Sequence, residues 1–100
     1  MTTPDRFPRD PHEELMDCRN AIEVVDRRIV ALLAQRTALA LRAADAKRAA
    51  GLPLVDRKRE AEVIDRVVAE GRSHDLPADG IEKVFERILA MSRRAQEDAR

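Results

Sequence analysis

Apolar residues recur at helical spacing from Leu15 through Ile22, Val25, Ile29, Leu32, Leu39 and Ala43 to Ala46, and neither glycine nor proline interrupts the chain from Glu13 to Ala50. Most other residues in that stretch are strong helix formers, so the pattern predicts one long helix, stopped by Gly51 and Pro53. At a rise of about 1.5 Å per residue it would be on the order of 55 Å long, roughly twice the diameter of a compact globule of 100 residues. Part of its length therefore needs cover from a second chain. Asp56 is a good N-cap for a short helix with Val63, Ile64, Val67 and Val68 on its apolar side, ending near Gly71. A polar turn from Arg72 to Asp79 follows. Pro77 and Asp79 open a third helix of medium length, with Ile81, Val84, Phe85, Ile88 and Leu89 as its apolar stripe and Gln96 near its end. No alternating segment, hairpin dipeptide or internal repeat interrupts this order, so the fold class is all-α.

Polar residues break the apolar faces at defined places. A heptad reading of the long helix aligns Leu15, Ile22, Ile29, Arg36 and Ala43 on one seam line, with Cys18, Val25, Leu32, Leu39 and Ala46 on the other. Lys47 follows Arg36 by three helical turns and projects from nearly the same face. In the second helix Glu60 shares a face with Ile64 and Val67, with Arg59 beside it. The third helix continues its stripe through Ser92 and Gln96, a hydroxyl and an amide one turn apart. Singly, each has an ordinary explanation: Arg36 as a register-setting residue, Lys47 and Arg59 reaching out to solvent, Ser92 and Gln96 as helix-end residues. Together they place polar groups inward on three helices at one level of a bundle. A buried charge without a partner is costly, and a ligand bearing carboxylates answers the excess of cations.

Composition narrows the chemistry. Lys and Arg number 19 and Asp and Glu 19, with no polybasic run and no aromatic platform, which argues against nucleic acid as a partner. The stretch from Met1 to Pro11 has prolines at 4, 8 and 11, four charges and no apolar run, so it reads as neither a signal peptide nor a membrane span. The expectation is a flexible tail over residues 1–12, a helical domain over 13–100 and a cytoplasmic protein. Cys18 is the only cysteine, and His12 and His74 complete no metal-ligand set. Nothing pairs a nucleophile with a base, and no phosphate loop is present, so an enzyme of this sequence would work by positioning and electrostatics, without a cofactor.

Taken in order, Leu15 to Arg19, Arg36, Ala46 to Lys47, Asp56 with Arg59 and Glu60, then Ser92 and Gln96 resemble the pattern of the AroQ-class chorismate mutases. The similarity covers about Leu15 to Gln96, and the Asp-x-x-Arg-Glu element ending at Glu60 is its most specific part. The resemblance implies three helices per chain in an intertwined homodimer, a Claisen rearrangement of chorismate to prephenate on the route to phenylalanine and tyrosine, and no cofactor. It implies that Arg36 and Arg19 of the partner subunit clamp the two substrate carboxylates, that Lys47 and Gln96 hydrogen-bond the ether oxygen, and that Glu60 with Asp56 holds the ring hydroxyl. Arg59 and Ser92 complete the pocket, and Lys47, Gln96, Arg36 and Glu60 are the catalytic set. Arg19 lies seventeen residues before Arg36, about 25 Å along one helix, too far for one chain to bring both to a small molecule. Antiparallel pairing of two long helices removes that difficulty.

Three other readings share these residues: an isochorismate-pyruvate lyase, a mutase for 4-amino-4-deoxychorismate in antibiotic supply, and a non-catalytic coiled-coil module in which the seam cations set register. Some members of the family act with a separate aromatic-pathway enzyme that regulates them, and these residues leave such a partner open.

Overall fold

The computed structural model describes residues 9–99. They form three helices, α1 (Pro11–Ala49), α2 (Arg57–Ser73) and α3 (Ala78–Asp98), with no strand among the described residues. By packing, the chain divides after Leu32 into an N-terminal and a C-terminal unit.

In the N-terminal unit α1 begins two residues before the expected Glu13, because Asp10 caps it. The Asp10 side chain accepts from the His12 amide at 3.1 Å, its carbonyl accepts from the Glu14 amide at 3.0 Å, and Pro11 fills the first helical position, where no donor is needed. Arg9 reaches over this turn to Glu14, at 2.9 Å, and to Asp17. The hydrogen bond and charge of Asp17 raise the Arg9 guanidinium further above its ordinary range. Of the expected tail, residues 1–8 lie outside the described residues, and Pro11 and His12 are helical. Farther along, Leu15, Ile22, Val25, Ile29 and Leu32 are each between 46% and 62% exposed. That is an apolar face left half-exposed by the described residues.

In the C-terminal unit the last turn of α1 closes by a pair of crossed bonds. The Leu52 amide reaches the Lys47 carbonyl at 2.8 Å and the Gly51 amide the Arg48 carbonyl at 3.2 Å, with Gly51 at φ 71°. Asp56 caps α2 as expected, accepting from the Arg59 amide at 3.0 Å. The helix runs two residues past Gly71, which is buried and does not end it. A Cβ at Gly71 would stand 2.8 Å from Ile81 Cγ1, so the missing side chain lets α2 and α3 approach closely. The terminator is Asp75, at φ 60°, whose amide bonds to the Arg72 carbonyl at 3.1 Å while the Leu76 amide reaches the Gly71 carbonyl at 2.9 Å.

Contacts from Gly71 to Ile81 at one end and from Glu60 to Arg93 at the other make α2 and α3 an antiparallel hairpin. The end of α1 runs parallel to α3: Arg36 bonds to Ser92 and Ala40 to Gln96, both 56 residues apart and one turn along each helix. The buried apolar residues between them are Ala44, Val63 and Leu89. The inward line of α1 is thus Leu33, Arg36, Ala40, Ala44 and Lys47, whereas Leu39, Ala43 and Ala46 of the expected seam are exposed. Leu39 and Ala43 nonetheless stand on the side of α1 that carries Arg36 and Lys47, as the heptad reading expects, and line the cavity described below. On α3, Val84 is off the stripe and exposed, while Ile81, Phe85, Ile88 and Leu89 face α2 or α1.

Candidate active site

A cavity of about 290 Å³ opens within the C-terminal unit, at the small end of the range for small-molecule sites. Its apolar walls come from Leu39, Ala40, Ala43, Leu54, Val63 and Leu89, and the rest of its lining is polar or charged. The alanines leave the room, and the long side chains of all three helices fill its rim.

From α1, Arg36 points in and donates through Nη1 to the Ser92 hydroxyl at 2.6 Å. Three turns on, the Lys47 ammonium donates to the Leu54 carbonyl at 2.8 Å. With its backbone carbonyl holding Leu52 and its ammonium holding Leu54, Lys47 is pinned at both ends to the segment that follows α1. An ammonium has three donors, so two remain for a ligand. From α3, Gln96 is 7% exposed and donates from Nε2 to the Ala40 carbonyl at 2.8 Å, which fixes the amide and leaves a second N–H. No buried side-chain nitrogen or oxygen among the described residues lacks a hydrogen-bond partner. The polar groups are therefore held in place by the protein, with donors to spare.

The carboxylates sit at the other flank. Glu60 accepts from Arg93 Nη1 at 2.7 Å, and Arg57 Nη1 stands 3.8 Å from the same oxygen. Asp56 uses one oxygen to cap α2. Arg59 lies on the rim, about half exposed and 3.9 Å from Glu62. Among the lining residues Arg36, Lys47, Arg59 and Arg93 are cations and Asp56 and Glu60 are anions, four against two, leaving two positive charges for a ligand to balance.

Arg36, Lys47, Asp56, Arg59, Glu60, Ser92 and Gln96 thus line one cavity. Arg19 belongs to the N-terminal unit and is not part of that lining. The sequence reading passed over Arg93, although the signal was present: Phe85, Leu89 and Arg93 follow one another at four-residue steps along the inward stripe of α3. It also passed over the Leu54 carbonyl, because a backbone acceptor leaves no mark in side-chain patterns. His12, Cys18 and His74 lie elsewhere, and His74 caps α2 and meets Glu70 at 3.1 Å. Among the described residues no three His, Cys, Asp or Glu side chains are grouped to hold a metal ion, and no helix is long and apolar enough to cross a membrane. What the arrangement offers is a set of oriented cations and amide donors, able to bind a dianion and to meet negative charge that develops on it.

Residues 18–97 match the family model of chorismate mutase type II. A chorismate mutase of Methanocaldococcus jannaschii is 29% identical over 84 residues, covering 84% of this chain and 85% of that protein. Bifunctional chorismate mutase/prephenate dehydratases are similar too: that of Enterobacter agglomerans is 32% identical over 80% of this chain, and that of Escherichia coli K12 33% identical over 75%. The chain spans 21% and 19% of the length of those two proteins, about a fifth.

Proposed function

The chain belongs to the chorismate mutase type II family, and from that premise we propose that it rearranges chorismate to prephenate in a cavity completed by a second copy of itself. The observation that carries this reading is the convergence of Lys47 from α1 and Gln96 from α3, each anchored by one bond and retaining a donor, on a cavity with two positive charges in excess. Chorismate brings two carboxylates and an ether oxygen.

In the rearrangement the ether C–O bond breaks as a C–C bond forms, with no proton transferred and no group lost. Negative charge grows on the enolpyruvyl oxygen as the bond breaks, and the Lys47 ammonium and Gln96 amide meet it. Arg36, steadied by Ser92, takes one carboxylate and selects the compact chair from the extended conformers that dominate in solution. Glu60 accepts from the ring hydroxyl with Asp56 beside it, and Arg59 closes over the rim. The second carboxylate falls to Arg19 of the partner subunit. The half-exposed apolar face of residues 15–32 supports such a dimer, since an uncovered stripe of that kind marks an association surface.

The product leaves for the enzymes of phenylalanine and tyrosine synthesis. The pairing of mutase and prephenate dehydratase in the names of two relatives supports a pathway enzyme as a further, regulatory partner, and a cytoplasmic location goes with soluble metabolites. The test is to supply purified protein with chorismate, isochorismate and 4-amino-4-deoxychorismate in turn and to identify each product by mass. Prephenate from chorismate as the fastest conversion supports the reading. Pyruvate release from isochorismate, faster turnover of the amino compound, or no turnover at all contradicts it.

A further inference from the structure

We infer that Arg93 is a specificity-determining residue that acts through Glu60, setting the cavity in favour of a ring hydroxyl and against a ring ammonium. The inference rests on the reading of this cavity as a mutase site.

Glu60 is the carboxylate in the cavity that is not committed to capping a helix, since Asp56 already accepts from the Arg59 amide at 3.0 Å. Two guanidiniums approach the same Glu60 oxygen, Oε1: Arg93 at 2.7 Å and Arg57 at 3.8 Å. They do not count equally. The Arg57 side chain is 80% exposed and water screens it, whereas Arg93 is 30% exposed against a Glu60 that is 19% exposed. Among the described residues Oε2 carries no such bond.

A ligand group arriving at Glu60 therefore meets a free acceptor oxygen on a carboxylate whose charge Arg93 has already balanced. A hydroxyl needs only that oxygen, to which it donates one hydrogen bond. An ammonium needs the charge as well, and it would sit one carboxylate away from a guanidinium in a cavity already carrying Arg36, Lys47 and Arg59. Without Arg93 the excess falls from two positive charges to one, and Glu60 has a whole negative charge to offer a cation. The geometry thus makes the substituent on the ring, hydroxyl or amine, the property that the Glu60–Arg93 pair reads. Arg93 is a positioning residue here, because it acts through its bond to Glu60.

The test compares kcat/KM for chorismate and for 4-amino-4-deoxychorismate in the wild type, Arg93→Gln and Arg93→Lys. In Arg93→Gln the preference for chorismate falls at least about tenfold, roughly 1.4 kcal/mol, chiefly through a lower KM for the amino substrate. Arg93→Lys keeps the charge and returns the preference to within about threefold of wild type. A preference unchanged in Arg93→Gln, or equal losses on both substrates, overturns the inference and leaves the mutase reading standing. A wild-type protein that converts neither substrate overturns both.

Discussion

The described residues up to Leu32 turn apolar side chains outward, while those from Leu33 onward turn arginine, lysine and glutamate inward. In the first region Ile22, Ile29 and Leu32 are about half exposed or more, with no polar constellation to explain them. In the second, few apolar residues are buried, and the inward groups hold one another: Arg36 with Ser92, Glu60 with Arg93, Gln96 with Ala40. Each region violates the usual partition of apolar inside and polar outside, in opposite senses. The outward apolar face calls for a protein surface of like character, and the inward cations call for a small anion. The dimeric enzyme proposed above would satisfy both.

The largest expected effect breaks the second region. Lys47→Ala removes the ammonium proposed to meet charge on the ether oxygen, and turnover should fall at least about a hundredfold, roughly 3 kcal/mol, with helix content by circular dichroism retained. Near-normal kcat would remove Lys47 from the catalytic set. The next breaks the first region. Ile29→Glu puts a charge on the apolar face, and sedimentation equilibrium should show the dimer dissociation constant rising on the order of a hundredfold. An unaltered dimer would mean that this face is not the association surface.

Two smaller effects sharpen the comparison, because they touch the C-terminal unit away from its charges. Gly71→Ala drives a Cβ to 2.8 Å from Ile81 Cγ1 and should cost about 1–3 kcal/mol in denaturant unfolding. Asp75→Gly relieves a left-handed residue at φ 60° and should stabilise by about 0.5–1 kcal/mol in the same assay. Both variants leave the cavity lining intact, so kcat is expected to stay near the wild-type value.

The fold was legible in the sequence wherever a residue type does one thing. A long run without glycine or proline gave α1, Pro77 and Asp79 ahead of an apolar stripe gave α3, Asp56 gave the start of α2, and the Asp56, Arg59 and Glu60 element carried the family resemblance. It was less legible where one residue type serves two ends. Gly71 reads as a terminator but is the close contact between helices, and Asp75 terminates α2 in a conformation that glycine usually takes. Arg93 was missed because a charge following Ser92 reads as solvent-facing until the turn before it, Leu89, is known to be buried.

The most direct measurement mixes two inactive proteins. Arg19→Ala and Lys47→Ala are each unfolded and refolded alone and then together, and chorismate turnover is followed. If Arg19 of the partner subunit completes each site, half of the mixed dimers carry one intact site out of two, and activity returns to about a quarter of the wild-type value. Activity that stays at the level of the separate variants, in dimers shown to have exchanged subunits, contradicts the account.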